Sequence, residues 1–167
     1  DDVALVIDPG MAFGTGLHPS TRLCLRTLEQ LPLAGQSLLD LGTGSGILAL
    51  YAAKVGARPI VALDTDLVAV QTAQENARLN SVATRVLIAH GSLTVEGYEL
   101  VSGQCTDLFP GPFGVIVVNI LAEVIAQLTP ALAAHLQPEG CVIASGILAE
   151  QDKIVEAAWT KAGLIVA

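Results

Sequence analysis

Three polar features of the sequence each follow a short apolar run of the kind that forms a buried strand: the acid Asp64, the amide Asn119, and the run Asp40-Leu41-Gly42-Thr43-Gly44-Ser45-Gly46. The glycines of that run allow a sharp turn from strand to helix, and they carry no Cβ that would block a ligand's approach to the backbone. The free N–H groups at the start of the next helix can hold a carboxylate or a phosphate. Asp64 lies about twenty residues beyond the turn, where folds of this type bind ribose hydroxyls with a carboxylate. The spacing therefore predicts a site for a nucleoside-containing ligand.

The glycine-rich turn is compatible with more than one class of ligand. A dinucleotide fingerprint places its third glycine where Ile47 stands, and no Gly-Lys-Ser/Thr follows that would grip a phosphate. The pattern Asp-x-Gly-x-Gly-x-Gly resembles the motif of S-adenosylmethionine-dependent methyltransferases, whose cofactor carries no phosphate. A structural turn in some other α/β protein is the alternative, because glycine-rich motifs have a real rate of false matches.

The composition indicates a single soluble domain with an aliphatic core. Of the 167 residues, 52% are hydrophobic but only 4% are aromatic, as expected of a parallel sheet covered by helices. No apolar run approaches the roughly 20 residues of a membrane span, and the opening Asp-Asp lacks the basic start of a signal peptide. The net charge of −8 disfavours nucleic acid and slightly favours a basic protein as partner. We therefore expect a cytoplasmic protein that binds neither membranes nor nucleic acids directly.

The cysteines and histidines show no spacing typical of metal ligands. Cys24, Cys105 and Cys141 are odd in number and widely separated, and the three histidines are scattered as well. We predict reduced, buried thiols and no metal site.

Alternating strands and helices predict a doubly wound, mostly parallel sheet of the α/β class. Strands are predicted before Asp40 and at 59–63, 85–89, 114–118 and 141–144, with a β-like run at 3–7 and a sixth strand beginning at 164. Helices are predicted at 19–31, 47–54, 67–79, 119–136 and 150–162, with a turn at 138–140. Residues 91–112 are interpreted as a loop over the adenine end of the ligand. If the first and fourth strands are neighbours, the glycine-rich turn and Asn119 face each other across the crevice where such sheets bind ligands.

Thr21 falls in the first turn of the helix that begins at Pro19, where a hydroxyl can cap the backbone or meet a ligand. The residues alone favour capping. Asp66 is an alternative ribose acid, but its position favours the N-cap of the helix that follows.

Four segments in order resemble a known family. They are the run from Asp8 to Thr21 (Asp-Pro-Gly-Met-Ala-Phe-Gly-Thr-Gly-Leu-His-Pro-Ser-Thr), the run from Asp40 to Ala49, Asn119-Ile120-Leu121-Ala122 and Ser145-Gly146-Ile147-Leu148. The chain resembles the ribosomal-protein lysine methyltransferases that modify large-subunit protein eleven, over nearly its whole length. The first and third segments are distinctive, whereas the second is shared by many methyltransferases.

The resemblance implies a Rossmann-like class I methyltransferase fold whose cofactor is S-adenosylmethionine. It assigns cofactor contacts to Thr21, Gly42, Asp64 and Asn119, reversing the preference for capping at Thr21, and Gly44 joins them from the same turn. It implies that residues 1–36 form a lead-in loop and helix that cover the cofactor. Residues 37–167 then form the methyltransferase core, and both parts belong to one domain. Family members also carry a separate amino-terminal domain that recognises the substrate. We therefore expect a catalytic-domain fragment whose sheet lacks its closing strand.

The implied function is methyl transfer to amino groups, on a lysine side chain or an N-terminus, of a ribosomal protein. Asn119 is the candidate catalytic residue, since its side-chain oxygen could accept the hydrogens of a neutral amine. An asparagine that merely closes a turn at a strand end is the alternative for that position. A methyltransferase for glutamine side chains is an alternative, but such enzymes typically show Asn-Pro-Pro-Tyr where this chain has Asn119-Ile120-Leu121-Ala122, and this difference disfavours it. A small-molecule methyltransferase, a non-catalytic cofactor-binding domain and, more weakly, a nicotinamide oxidoreductase stay open as alternatives.

Overall fold

The protein is described by a computed structural model that covers residues 3–8, 10, 18–101 and 109–166. Strands and helices alternate through most of the described chain, as the sequence predicts. The elements in chain order are α1 (Pro19–Glu29), β1 (Leu38–Leu41), α2 (Ile47–Lys54), β2 (Ile60–Asp64), α3 (Leu67–Leu79), β3 (Val86–Leu93), β4 (Tyr98–Leu100), β5 (Phe113–Asn119), α4 (Ala122–Ala134), β6 (Leu136–Ser145) and α5 (Asp152–Lys161).

The six strands form one sheet in the order β4-β3-β2-β1-β5-β6. All neighbours are parallel except β3 and β4. From β1 the chain winds outward through β2 and β3 and then crosses back to β5, which pairs with β1 so that Leu41 lies opposite Val118. The winding therefore reverses between β1 and β5, where open α/β sheets bind their ligands. The first and fourth predicted strands correspond to β1 and β5, and the prediction that they are neighbours is confirmed.

Helices cover both faces of the sheet. Helices α1, α2 and α3 lie on the face that receives Leu38 and Val115. Helices α4 and α5 lie on the face that receives Leu39 and Ile116. Because side chains alternate along a strand, Asn119 at the end of β5 belongs to the same face as Val115 and points towards the α1 layer.

The region 91–112 differs from the predicted loop. Strand β3 continues to Leu93, and β4 pairs with it antiparallel, with Gly91 opposite Leu100. A Cβ added at Gly91 would lie 2.3 Å from the Glu99 oxygen, so the hairpin closes there because position 91 has no side chain. The sequence prediction was wrong because the requirement for glycine lies in the partner backbone and not in the local pattern. Residues 102–108 lie outside the described part of the chain.

Three smaller predictions were also wrong. The predicted sixth strand at 164 does not form over 164–166; instead the Leu164 N–H closes α5 by donating to the Trp159 oxygen at 2.9 Å. The predicted turn at 138–140 is an irregular stretch inside β6, where the register against β5 shifts. Residues 3–7 form no strand, since the backbone N–H and oxygen of Val6 pair with the side-chain amide of Asn80, the C-cap of α3, and not with another strand.

Within the described residues, no helix combines the length and the apolar character needed to cross a membrane.

Candidate functional site

A cleft of about 540 Å³ opens at the carboxyl ends of β1, β2 and β5. Four of the residues predicted for the site line it together: Gly42, Gly44, Asp64 and Asn119. Thr21 does not line the cleft, but its hydroxyl lies directly behind Asn119. The fold therefore gathers the predicted residues in one place, although they are separated by up to about a hundred positions in the sequence.

Backbone hydrogen bonds fix the glycine-rich turn that follows β1. The Gly42 and Thr43 N–H groups both donate to the Leu63 oxygen, at 2.8 and 3.0 Å. Gly42 has φ +78°, and a Cβ there would lie 2.3 Å from Cγ2 of Ile120, which follows β5. Glycine at position 42 thus satisfies the backbone conformation and lets the two strand ends approach each other across the cleft.

Asp64 braces the turn as well as lining the cleft. Its Oδ2 accepts from the Gly44 N–H at 2.9 Å, and its Oδ1 accepts from the Asp66 N–H at 2.9 Å. A carboxylate has about four acceptor positions, so each oxygen keeps room for a hydroxyl from a ligand. Asp66 caps α3 by accepting from the Val68 N–H, which confirms its predicted place as N-cap.

Asp40, the acid of the glycine motif, holds the turn from below. It is 1% exposed, and its Oδ2 accepts from Thr43 Oγ1 at 2.7 Å and from the Ala49 N–H at 3.2 Å. Its Oδ1 has no hydrogen-bond partner among the described residues. Burial raises the pKa of this carboxyl to about 6, although the bonds from Thr43 and Ala49 oppose the shift. Asp40 therefore supports the turn from the core and was not singled out as a separate site residue by sequence.

Asn119 projects from the end of β5 towards α1. Its Nδ2 donates to Thr21 Oγ1 at 3.4 Å. Thr21 is only 1% exposed, and the N-cap of α1 is His18, whose Nδ1 accepts from the Ser20 N–H. Thr21 is therefore not the N-cap of α1. With its nitrogen turned towards Thr21, Asn119 has its side-chain oxygen available to accept hydrogen bonds.

Several other residues that line the cleft were not assigned to a site by the sequence analysis. Gly91 and Ser92 of β3 line the side beyond Asp64. Leu121 and Val124 at the start of α4 supply an apolar wall. Leu121 lies in the segment 119–122 that resembles the family, but the apolar pattern of Leu121 and Val124 is that of any helix packed on a sheet, so the pattern alone did not assign either residue to the site.

The described residues contain no group of three or more His, Cys, Asp or Glu side chains that could hold a metal ion. Cys24 and Cys141 are free thiols, buried and partly buried respectively. Cys105 and residues 11–17 of the predicted lead-in loop lie outside the described residues.

The strand order, the switch point between β1 and β5 and the glycine-rich turn define the Rossmann-like α/β fold of class I methyltransferases. The family model described as ribosomal protein L11 methyltransferase (PrmA) matches residues 1–167. The chain is 48% identical to the ribosomal protein L11 methyltransferase of Chloroflexus aurantiacus, over 98% of this chain and 54% of that protein. The chain therefore belongs to the ribosomal protein L11 methyltransferase family.

Solved structures agree with that assignment. The crystal structure of ribosomal protein L11 methylase from Lactobacillus delbrueckii subsp. bulgaricus superposes with a TM-score of 0.78 at 36% identity, over 93% of this chain and 73% of that one. A methyltransferase from Thiobacillus denitrificans, in complex with S-adenosyl-L-homocysteine, superposes with a TM-score of 0.59 at 26% identity, over 76% and 49% of the two chains. The chain spans about half the length of the curated relatives it matches.

Proposed function

We propose that this chain carries the S-adenosylmethionine-dependent step of an N-methyltransferase that modifies amino groups of a ribosomal protein. The observation that carries the proposal is the cleft at the sheet's switch point, flanked by the Gly42 turn on one strand end and Asn119 on the next. Membership of the family supports the reaction and the class of substrate. The S-adenosylhomocysteine bound by the Thiobacillus methyltransferase supports the cofactor.

The residues of the cleft fit this cofactor. A volume of about 540 Å³ suits a ligand of nucleoside size. Gly42 and Gly44 leave the backbone of the turn open to the ligand's amino-acid tail, and Asp64 places carboxylate oxygens where ribose hydroxyls can donate. When bound, S-adenosylmethionine supplies a methyl group made electrophilic by its sulfonium.

The protein's own task is to present a neutral amine in line with that methyl group. A lysine with a pKa of about 10.4 spends roughly 4–5 kcal/mol to be neutral at pH 7. The Asn119 oxygen accepts one amine hydrogen and so turns the nitrogen lone pair towards the cleft. Leu121 and Val124 present exposed apolar surface at the cleft, and a substrate that covers this surface displaces water from the amine, which favours the neutral amine over the charged one. At the other end of the same carboxamide, the Asn119 nitrogen donates a hydrogen bond to the Thr21 hydroxyl, which sets the orientation of the side chain.

The net charge of −8 suits a basic substrate, because an acidic surface attracts a basic protein over long range. Because ribosomal proteins are the proposed substrates, we propose that the reaction takes place in the cytoplasm. The amino group that is methylated is a lysine side chain or the N-terminus of that substrate.

Calorimetry followed by a transfer assay tests the proposal. We expect saturable, one-to-one binding of S-adenosylmethionine, no comparable binding of NAD, and transfer of radiolabelled methyl groups to ribosomal protein L11. Binding without transfer to any ribosomal protein would contradict the catalytic half of the proposal and favour a non-catalytic domain. Tighter binding of NAD than of S-adenosylmethionine would contradict the cofactor assignment.

A further inference from the structure

Residues 3–8 lie along helix α3 and are held there by two side-chain amides. Asn80 Oδ1 accepts from the Val6 N–H at 2.9 Å, and Asn80 Nδ2 donates to the Val6 oxygen at 2.7 Å. One helical turn away, Asn76 Oδ1 accepts from the Asp8 N–H and Asn76 Nδ2 donates to the Asp8 oxygen, both at 2.9 Å. Each carboxamide thus pairs with one backbone unit as a neighbouring strand would.

The repeat of the two pairs follows from the geometry of the two elements. Four residues of a helix rise roughly 6 Å, and two residues of an extended chain advance roughly 6.6 Å. Side chains four apart on α3 therefore meet backbone groups two apart on an extended segment. The match continues to Gly10, where a Cβ would lie 3.3 Å from Thr72 Oγ1 on the same helix. Leu5 and Ile7 pack against the core beneath.

Asn76 differs from Asn80 in the partner of its second amide hydrogen. Asn76 Nδ2 also donates to the Ser45 oxygen at 2.9 Å, inside the glycine-rich turn. The second hydrogen of Asn80 goes to the Asn76 oxygen of its own helix, at 2.8 Å. Asn76 is 0% exposed, so its carboxamide is shielded from bulk solvent. One carboxamide therefore joins the lead-in segment to the turn that borders the cleft.

We propose that Asn76 is a positioning residue that couples the docking of residues 3–8 to cofactor binding at the glycine-rich turn. The proposal rests on the function proposed above for that turn. A ligand that orders Ser45 and its neighbours strengthens the bond from Asn76, and a firmly held Asn76 strengthens both of its bonds to Asp8. By linkage, the factor by which the ligand stabilises the docked segment equals the factor by which docking tightens the ligand.

Amide hydrogen exchange of the full chain, free and saturated with S-adenosylhomocysteine, measures this coupling directly. We expect the ligand to slow exchange of the Asp8 amide roughly fivefold or more beyond its effect on the Leu164 amide, within the usual range of coupling between two sites. Leu164 ends α5 in the opposite helix layer and reports any general stabilisation. This measurement uses the unaltered chain, so it does not depend on whether a variant folds. Ligand binding that leaves the Asp8 amide no more protected than Leu164 would overturn the coupling.

The substitutions Asn76→Ala and Asn80→Ala form a matched pair, since each removes one amide from the same segment. For Asn76→Ala we expect roughly 5- to 20-fold weaker binding of S-adenosylhomocysteine and loss of the ligand's effect on the Asp8 amide. For Asn80→Ala we expect binding within about twofold of the unaltered chain, with faster exchange at Val6 alone. Equal losses of affinity in both variants overturn the special role of Asn76. No ligand binding by the unaltered chain overturns both this inference and the proposed function, whereas binding with unchanged exchange overturns only the inference.

Discussion

The two strand ends that border the cleft are built differently. At the end of β1, several hydrogen bonds fix the turn, among them two to the Leu63 oxygen, one from Gly44 to Asp64, one from Thr43 to Asp40 and one from Asn76 to the Ser45 oxygen. At the end of β5, the side chain of Asn119 makes one hydrogen bond within the described residues, to Thr21 at 3.4 Å. That distance is at the long end for a hydrogen bond.

The difference indicates that the two sides of the cleft have different functions. A turn held by several short bonds is close to its bound shape before the ligand arrives, so the ligand spends less free energy on ordering it than on ordering a loosely held loop. A carboxamide held by one long bond can shift to meet an incoming amine, and catalytic hydrogen bonds often tighten only in the complex. We therefore assign binding of the cofactor to the β1 side and orientation of the acceptor to the β5 side.

Replacing Asn119 tests the β5 side, and we expect the largest effect there. Asn119→Ala removes the acceptor for the amine, so the turnover number should fall roughly 100- to 1,000-fold, as for loss of a transition-state hydrogen bond. The dissociation constant of S-adenosylmethionine should change by less than about fivefold, because the β1 side is intact. Single-turnover kinetics and calorimetry give the two numbers. Equal loss of turnover and affinity would reduce Asn119 to a binding residue.

Replacing Gly42 tests the β1 side. A Cβ at position 42 collides with Ile120, so Gly42→Ala should weaken S-adenosylmethionine binding by about 100-fold or more, or roughly 3 kcal/mol. Gly35→Ala is the matched control, because Gly35 has φ +79° but no atom within 4 Å of an added Cβ. The control should lose stability from backbone strain and keep its affinity. Similar affinity losses in both variants would show that strain, and not the collision across the cleft, is responsible.

The buried acid beneath the turn gives the β1 side a pH dependence. The pKa of Asp40 is raised to about 6 in the folded chain, so folding favours its protonated form. Its contribution to stability is therefore greatest below pH 4 and declines as the pH rises through about 6, by up to about 3 kcal/mol. Asp40→Asn removes this decline, so the difference in unfolding free energy between variant and parent should grow in favour of the variant from pH 4 to pH 7. A difference in unfolding free energy between variant and parent that stays constant from pH 4 to pH 7 would contradict the raised pKa of Asp40.

Asp64 sharpens the comparison, since it both braces the turn and lines the cleft. Asp64→Asn replaces one acceptor oxygen by a donor, and we expect about tenfold weaker S-adenosylmethionine binding, as for loss of a hydrogen bond to a charged group. Asp66→Asn should keep affinity within about twofold, because asparagine is an equally good N-cap. Titration calorimetry of both variants decides which acid serves the ligand. A larger loss at position 66 would move the ribose contact there.

The smallest effect is expected from the partner of Asn119. Thr21→Val keeps the shape of the side chain and removes the hydroxyl, so turnover should fall about three- to tenfold while affinity stays nearly constant, as for loss of one neutral hydrogen bond. Thr21→Ser should restore most of the turnover. A loss of affinity that exceeds the loss of turnover would instead favour the direct cofactor contact implied by the family.

Local signals in the sequence were enough for the elements that frame the site. Helices α2 and α3 match their predicted bounds, because a glycine stop ends one and the Asp66 cap begins the other. The switch point followed from the alternation of strands and helices only on the condition that the first and fourth predicted strands are neighbours, which the strand order confirms. The features that were missed depend on distant partners: the pairing of Thr21 with Asn119 spans 98 positions, and the bonds from Asn76 to Asp8 span 68. No pattern within one element contains that information.

A nuclear magnetic resonance titration with S-adenosylhomocysteine tests the central claim most directly. We expect one-to-one saturation, with the largest shifts at the amides of Gly42 and Gly44 and at the Asn119 side chain, and small shifts at Trp159 on the far helix layer. Failure to bind would contradict the claim, as would saturation in which the largest shifts lie around Trp159 and the glycine-rich turn is unchanged.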